Sequence, residues 1–155
     1  ASAEQKIAIL DLKLLLNTSK AGKGAQDFLK KSYSKNVKKF SEVEKKLKKD
    51  ETDLLQKKTT LSKEEYKKKS DELRKKVISY QSERRTAFDK IASQRSKSRE
   101  TLITKINPIL SVYMKENNIT LVVDKKNVLG GKPEIDITPI IMEQLDKELP
   151  SLNLK

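Results

Sequence analysis

The chain has 155 residues, of which 37% are charged and 35% are hydrophobic, and its net charge is +13. This length suits one domain of average size with a small core, and no apolar run reaches the roughly eighteen residues that a membrane span requires. Because the sequence contains neither Cys nor His, disulfides, thiol chemistry and the commonest metal ligand are excluded. We therefore expect no catalytic residue, no cofactor and no metal site, and we predict that the protein is not an enzyme.

The positive charge is concentrated in the middle of the sequence. Residues 30–117 contain 26 Lys and Arg against 13 Asp and Glu, whereas the two ends are close to neutral. The chain has only four Gly and four Pro, which favours long solvated helices over disorder.

The first predicted element is a buried strand at residues 6–12, KIAILDL, because the run is apolar and rich in β-formers. Gly22 and Gly24 are expected where the next helix begins, not within it. The dipeptide Gly22-Lys23 resembles the end of a phosphate-binding loop. However, Asn17 stands in place of the first glycine of that motif and Gly24 in place of its Ser or Thr, so we predict no nucleotide site.

A seven-residue apolar repeat then indicates two long helices of coiled-coil type. Ser62 and Glu65 have the spacing of a capping box, which marks the start of the second helix after a short polar turn. Two helices joined so closely must be antiparallel. The apolar seam is thin near the turn and richer at the far ends, so residues 63–76 are predicted at the tip of a helical hairpin. The repeat consists of Tyr33, Phe40, Leu47, Leu54 and Leu61, and then of Tyr66, Leu73, Tyr80 and Ala87.

Acid-first pairs four residues apart are frequent in the hairpin, and each should stabilise its helix by about 0.2–0.5 kcal/mol. They account for most of the acidic residues but not for the surplus of lysine. The pairs are Glu42–Lys46, Glu44–Lys48, Asp53–Lys57, Glu64–Lys68, Glu65–Lys69, Asp71–Lys75 and Glu72–Lys76.

The C-terminal third returns to a β-containing pattern. Pro108 lies inside the second helix, where its missing N–H should weaken the helix and create a hinge. Residues 119–124 predict a second strand, and residues 127–129 a short third one. Thr138 should cap a last helix, with Pro139 in its first turn.

The fold class predicted from these elements is α+β, with a small β body and one long antiparallel coiled-coil hairpin arm per chain. Residues 1–21 and 102–155 should form the body and residues 22–101 the arm. Two or three short strands cannot stand alone, so we expect other subunits to complete the body. The predicted oligomer interface consists of Ile7, Ile9, Leu121 and Val123.

The lysine-rich arm has three interpretations. It could serve only the solubility of an exposed hairpin. It could bind nucleic acid, but the charges alternate in sign and Lys far exceeds Arg, so nucleic acid is not expected. Third, it could attract acidic protein clients or an anionic lipid surface. Candidate contact residues on the arm are Lys67, Lys68 and Lys69, with Tyr66 and Tyr80 adding apolar surface.

Three short segments make the chain resemble a known family. They are SKAGKGA at 19–25, LVVD at 121–124 and DIT at 136–138. Together with the basic hairpin between them, in the same order along the whole chain, they resemble the Skp/OmpH-like periplasmic chaperones. The arm matches in character only, and Pro108 departs from the family's usually unbroken helix.

The resemblance implies a homotrimer in the periplasm, with strands of three chains in one β body and three arms around a cavity. It implies an ATP-independent holdase that encapsulates unfolded outer-membrane proteins and prevents their aggregation. The alternative is a basic coiled-coil structural protein that binds an anionic polymer or membrane surface without chaperone activity.

Overall fold

A computed structural model describes residues 4–155. It confirms the predicted α+β class, with two long helices forming a hairpin and a small two-stranded β region. The segment 1–21 predicted for the body begins at residues that lie outside the described part of the chain. In order, the elements are β1 (Ile7–Leu10), α1 (Leu12–Thr18), α2 (Lys20–Gln56), α3 (Lys63–Glu116), β2 (Leu121–Asp124) and α4 (Thr138–Glu148).

The described chain forms two compact units. The body unit consists of the chain up to Leu29 together with Gln94–Lys155, and the arm unit consists of Lys30–Ser93. That these units act as an oligomerisation body and a binding arm stays a prediction.

The two strands of the body unit pair in parallel. Ile7 is opposite Leu121 and Leu10 is opposite Asp124. On the side of β1 away from β2, Ile9 forms an isolated bridge with Asp136, and the Ile137 N–H donates to the Ile9 carbonyl at 2.9 Å. Strand β1 therefore lies between β2 and the segment that precedes α4.

The third strand predicted at residues 127–129 is wrong. Lys125–Asn127 form a single 3₁₀ turn, because the Asp124 carboxylate accepts the Lys126 N–H at 3.3 Å and turns the chain at the end of β2. The following Leu129 is fully exposed, as a residue outside any sheet can be.

The first strand is also shorter than predicted, because Leu12 already belongs to α1. The Asp11 carboxylate caps this helix by accepting the Leu14 N–H at 3.0 Å. Leu15 is completely buried and belongs to the main core. The leucines at 12, 15 and 16 have helical spacing, which is the signal that the strand prediction overlooked.

Helix α2 begins at Lys20, so Gly22 and Gly24 lie within its first turns, which corrects the prediction that they mark its beginning. The buried Ser19 hydroxyl accepts the Gly22 N–H at 3.1 Å, so Ser19 acts as the helix cap. A Cβ on Gly22 would lie 2.0 Å from the Leu16 carbonyl oxygen, whereas a Cβ on Gly24 would meet nothing within 4 Å. Only Gly22 is therefore required, because it lets the end of α1 approach α2.

The hydrophobic core of the body unit joins all its elements. Both strands' inner residues, the C-terminal half of α3 and α4 contribute to it. Its buried members include Ala8, Leu10, Leu15, Ala21, Leu102, Ile106, Ile109, Ile119, Ile137, Ile141 and Leu145.

Helix α3 continues through Pro108 and ends at Glu116. Asn118 takes a left-handed conformation, with φ of 54°, and the Ile119 N–H donates back to the Met114 carbonyl at 2.9 Å. This is a helix-ending motif of the Schellman type, and it confirms that Asn117 and Asn118 end the helix. The hinge assigned to Pro108 stays a prediction, and the residue lies within the body unit.

The start of α4 differs from the predicted cap. Thr138 is the first helical residue and its side chain does not cap the helix, whereas Pro139 does occupy the first turn as predicted. The buried Thr138 hydroxyl instead donates to the Asp136 carboxylate and accepts the Asp11 N–H at 2.9 Å. These two hydrogen bonds connect the junction of β1 and α1 to the start of α4.

Two opposed effects act on the pKa of Asp136. Burial raises this pKa, but hydrogen bonds from the Thr138 hydroxyl and N–H and from the Lys125 ammonium outweigh burial, so the net pKa lies below the ordinary value. Asp136 thus stays ionised at neutral pH, with the Lys125 Nζ 3.3 Å from its carboxylate.

We expect Gly22→Ala to lower the free energy of unfolding by about 2 kcal/mol, because the new methyl group meets backbone that cannot rotate away. Gly24→Ala is the matched control and should leave stability unchanged or raise it by about 0.5–1 kcal/mol, as alanine does in a helix. Urea unfolding followed by circular dichroism measures both. Equal effects of the two substitutions would contradict the proposed close approach of α1.

We expect the free energy of unfolding of the body unit to fall in acid, because Asp136 becomes protonated there. Because its folded pKa is lowered, its contribution is present above the unfolded pKa of about 3.9 and is lost as pH falls through the lower folded pKa. Asp136→Asn does not titrate, so its stability deficit relative to wild type should shrink as pH is lowered from 6 to 2. The measurement is the urea midpoint as a function of pH. The surface substitution Glu143→Gln should follow the wild-type curve, and a constant deficit for Asp136→Asn would refute the linkage.

Candidate functional site

The arm unit is an antiparallel pair of helices, as the sequence predicts. The Tyr33 and Phe88 rings meet edge to face at 5.4 Å between centroids, and the Phe40 and Tyr80 rings are 6.0 Å apart. Nearer the turn, the Lys58 ammonium lies 5.8 Å from the centre of the Tyr66 ring. As residue numbers rise along α2, those of the facing residues on α3 fall, so the two helices are antiparallel.

The turn that closes the arm begins as predicted. The Ser62 hydroxyl accepts the Glu65 N–H at 3.1 Å, and this bond confirms the cap that Ser62 provides for α3. Glu64 and Glu65 lie in the first turn, where negative charge favours the helix N-terminus.

The seam between the arm helices becomes thinner toward the turn. Phe40 is buried with 3% of its surface exposed, whereas Leu47, Leu54 and Leu61 of the same heptad position are only half-buried. Tyr33, which opens the series, is 52% exposed. The seam therefore holds the helices together and still leaves much apolar surface in contact with water.

That surface forms a groove of about 540 Å³ on the arm. Charged residues of both signs border it, among them Glu44, Lys48, Glu51 and Arg74. Its apolar lining consists of Leu47, Leu54, Leu55, Tyr66, Leu73 and Val77.

The arm unit carries 21 Lys and Arg against 11 Asp and Glu, a net charge of +10. Of the seven predicted ion pairs, Glu44–Lys48 forms, at 3.3 Å, and the other six are not in contact. Exposed pairs gain little Coulomb energy in water and lose side-chain entropy, so this outcome is physically reasonable. Most lysines of the arm are consequently available to another molecule.

The five predicted contact residues of the arm fall into two groups. Lys67, Lys68 and Lys69 are exposed on α3, outside the groove. Tyr66 and Tyr80 are half-buried in the seam and line the groove. The Tyr80 hydroxyl donates to the Glu44 carboxylate at 3.4 Å. Their role in client binding stays a prediction.

The predicted interface residues form two cross-strand pairs. Ile7 and Leu121 are opposite each other and are 46% and 51% exposed. Ile9 is buried in its own chain and is paired with the half-buried Val123. Within residues 4–155, β2 has β1 as its one strand partner. In the described residues the other edge of β2 therefore has no strand partner, and the Ile7–Leu121 pair is half exposed; the interface itself stays a prediction.

Two further apolar residues of α2 are exposed. Val37 lies four residues after Tyr33, at the second heptad position that the sequence predicts, and is 45% exposed. Sequence reasoning missed Leu55, which is 58% exposed and lies beside the heptad position of Leu54. Its distance of five helical turns from Val37 was the signal that could have identified it.

Neither a metal site nor a membrane helix is found in the described part of the chain. No group of three or more Asp or Glu residues there is placed to hold a metal ion. None of the helices in residues 4–155 combines the length and apolar character that crossing a bilayer requires.

Comparison with known proteins identifies the family. The model of the family described as outer membrane protein (OmpH-like) matches residues 6–145. The fold is similar to the crystal structure of a proposed OmpH-like outer membrane chaperone from Caulobacter crescentus CB15, with a TM-score of 0.86 and 17% identity over 100% of this chain and 92% of that one. No curated protein matches the chain. The family match covers most of the sequence, and the chain therefore belongs to the OmpH-like outer membrane protein family.

Proposed function

We propose that this protein is an ATP-independent holdase chaperone of the periplasm that binds unfolded outer-membrane proteins and prevents their aggregation. The observation that carries the proposal is the arm unit, which combines a net charge of +10 with a half-exposed apolar seam. Family membership supports it, as does the description of the similarly folded Caulobacter protein as an outer membrane chaperone.

The proposed mechanism needs no covalent chemistry. The basic arm attracts acidic, unfolded chains over a distance limited by salt to about 8 Å at physiological ionic strength. Apolar contacts along the seam then retain the chain, and many weak contacts suit clients of varied sequence. Lys67, Lys68 and Lys69 would contribute to capture, and Tyr66 and Tyr80 to retention.

The same proposal includes assembly into a homotrimer. An unpaired strand edge invites pairing with another chain, and the exposed Ile7–Leu121 pair lies at the available side of the sheet. Assembly would bury the exposed half of each side chain, which is worth about 0.7–1.5 kcal/mol each. Three arms would then surround a shared space in which a client is kept from other sticky chains.

Leu121→Asp should reduce the mass of the assembly without unfolding the chain, because Leu121 is half exposed within its own subunit. Light scattering coupled to size exclusion measures the mass, and circular dichroism checks the fold. Val112→Asp is the control, since Val112 is 56% exposed on α3 and lies beside residues of α4. A folded monomer for wild type at micromolar concentration would refute assembly, and equal disruption by both substitutions would refute this interface.

The holdase activity should depend on the arm. A urea-denatured outer-membrane β-barrel, diluted without nucleotide, should scatter less light in the presence of the protein. A variant in which a short Gly-Ser turn replaces residues 47–77 keeps the Phe40–Tyr80 contact and should assemble normally but protect poorly. The alternative function, a basic coiled-coil spacer, predicts no protection by either protein. Full protection by the shortened variant would show that the arm is not the binding element.

Charge can be tested in the same assay. The triple substitution of Lys67, Lys68 and Lys69 by Glu should slow client capture, because complementary charge acts mainly on association rates. The matched control reverses three exposed lysines of the body unit, Lys13, Lys23 and Lys132, and should reduce capture less. Raised salt should diminish the difference between the two variants.

A further inference from the structure

The groove of about 540 Å³ on the arm adjoins a second hollow between the same two helices. The second hollow, of about 460 Å³, is lined by Tyr33, Val37 and Phe88, and it shares Glu44 and Tyr80 with the first. The hydrogen bond between those two shared residues joins the helices where the hollows meet. The two hollows are therefore parts of one groove on one face of the arm unit, which we call the arm groove.

Helical periodicity supports this continuity. On α2, residues 33, 37, 40, 44, 48, 51 and 55 follow a period of about 3.6 and so form one straight stripe. On α3, residues 66, 70, 73, 77, 80, 84 and 88 do the same. The arm groove lies between these two stripes. At about 1.5 Å per residue, the stripe from Tyr33 to Leu55 is about 33 Å long.

The arm groove exposes large apolar side chains. Tyr33 and Val37 line the second hollow and Leu55 the first, and they are 52%, 45% and 58% exposed. Lys48 and Arg74 border the first hollow and Arg84 the second, and the carboxylates of Glu44 and Glu51 stand among them. The Arg84 guanidinium lies 5.1 Å from the centre of the Phe88 ring. A ligand that fits must be long and apolar on one side, and the net charge of +10 on the whole arm unit favours one that carries acidic groups.

We propose that the arm groove holds one extended, strand-length segment of an unfolded β-barrel protein. An extended chain rises about 3.3 Å per residue, so about ten residues match the groove's length, and a transmembrane β-strand has about 9–11. Such strands alternate apolar and polar residues. The apolar side chains enter the groove, and the polar and acidic ones face outward, where the net positive charge of the arm unit attracts them. This inference rests on the proposed holdase function and specifies its ligand.

Charge argues against a second arm as the occupant. Each arm unit carries a net charge of +10, and two such surfaces in contact would repel each other. An acidic extended segment is attracted instead. The groove is thus better suited to a client than to self-association.

The test uses a fluorescent synthetic peptide of about ten residues in which Leu, Val and Tyr alternate with Ser, Gln and Asp. A second peptide has the same composition with its apolar residues in one block. Fluorescence anisotropy measures the dissociation constant of each. The alternating peptide should bind at least about tenfold more tightly, because only its extended form places all apolar side chains on one face.

The matched protein variants are the double substitution of Val37 and Leu55 by Ser and the single substitution Ile78→Ser. All three positions are exposed, with Ile78 at 59%, but Ile78 does not line the arm groove. The double variant should weaken peptide binding about tenfold or more, whereas Ile78→Ser should change it less than about twofold. Because these side chains are exposed, both variants should keep wild-type stability and mass.

A chemical probe locates the peptide independently. The chain has no cysteine, so Leu55→Cys and Ile78→Cys can each carry a single benzophenone label. Crosslinking of the alternating peptide should occur from position 55 and not from position 78. Equal crosslinking from both positions, or equal loss of binding in both serine variants, would overturn the inference. So would a change of assembly mass in the double variant, which would assign the groove to a second copy.

The outcomes separate this inference from the function on which it rests. If the wild-type protein does not suppress aggregation of a denatured β-barrel, the holdase function is wrong. If it does, and the Val37/Leu55 variant protects and binds as wild type does, the holdase function stands and the arm groove is not the site.

Discussion

The parallel pairing of Ile7–Leu10 with Leu121–Asp124 is the constraint on which the rest of the structure depends. Parallel neighbours cannot be joined by a tight turn, and they need a crossover connection that is usually a helix. Here the crossover contains α1 and both long helices. The hairpin is therefore an enlarged crossover, and both ends of its helices are bound into the same hydrophobic core. The arm can lengthen or change its surface without altering the pairing that anchors it.

Three polar contacts keep this anchor in register. The Ile137 N–H binds the Ile9 carbonyl, the Thr138 hydroxyl accepts the Asp11 N–H, and the Asp146 carboxylate accepts the Lys20 N–H at 2.8 Å, where α2 begins. Each contact connects a residue that precedes the arm in the sequence to a residue that follows it. A two-stranded sheet is marginal by itself, so the body unit depends on these contacts and on the core beneath them for its stability.

The sequence predicted what local chemistry determines and missed what tertiary contact determines. The heptad series, the Ser62 cap and the Asn118 helix end are local signals, and the structure has all three. The role of Gly22 depends on the Leu16 carbonyl, which approaches only after α1 has folded back. The partner of β1 beyond β2 is likewise residue 136 and not residues 127–129, because a turn driven by Asp124 diverts the chain. Leu55 was missed because a heptad describes where helices meet, whereas a groove is also formed by residues beside that contact.

The arm separates two demands that compete in most small proteins. Apolar side chains that stabilise a fold must be buried, but those that bind an unfolded chain must remain accessible. In this arm Phe40 and Ile91 are buried, whereas Tyr33, Val37 and Leu55 keep about half of their surface exposed, although the Tyr33 ring also packs against Phe88. Exposed apolar surface on this scale would normally promote aggregation. The net charge of +10 on the same unit opposes self-association, and in the proposed function this repulsion would keep the apolar groove open to an oppositely charged chain.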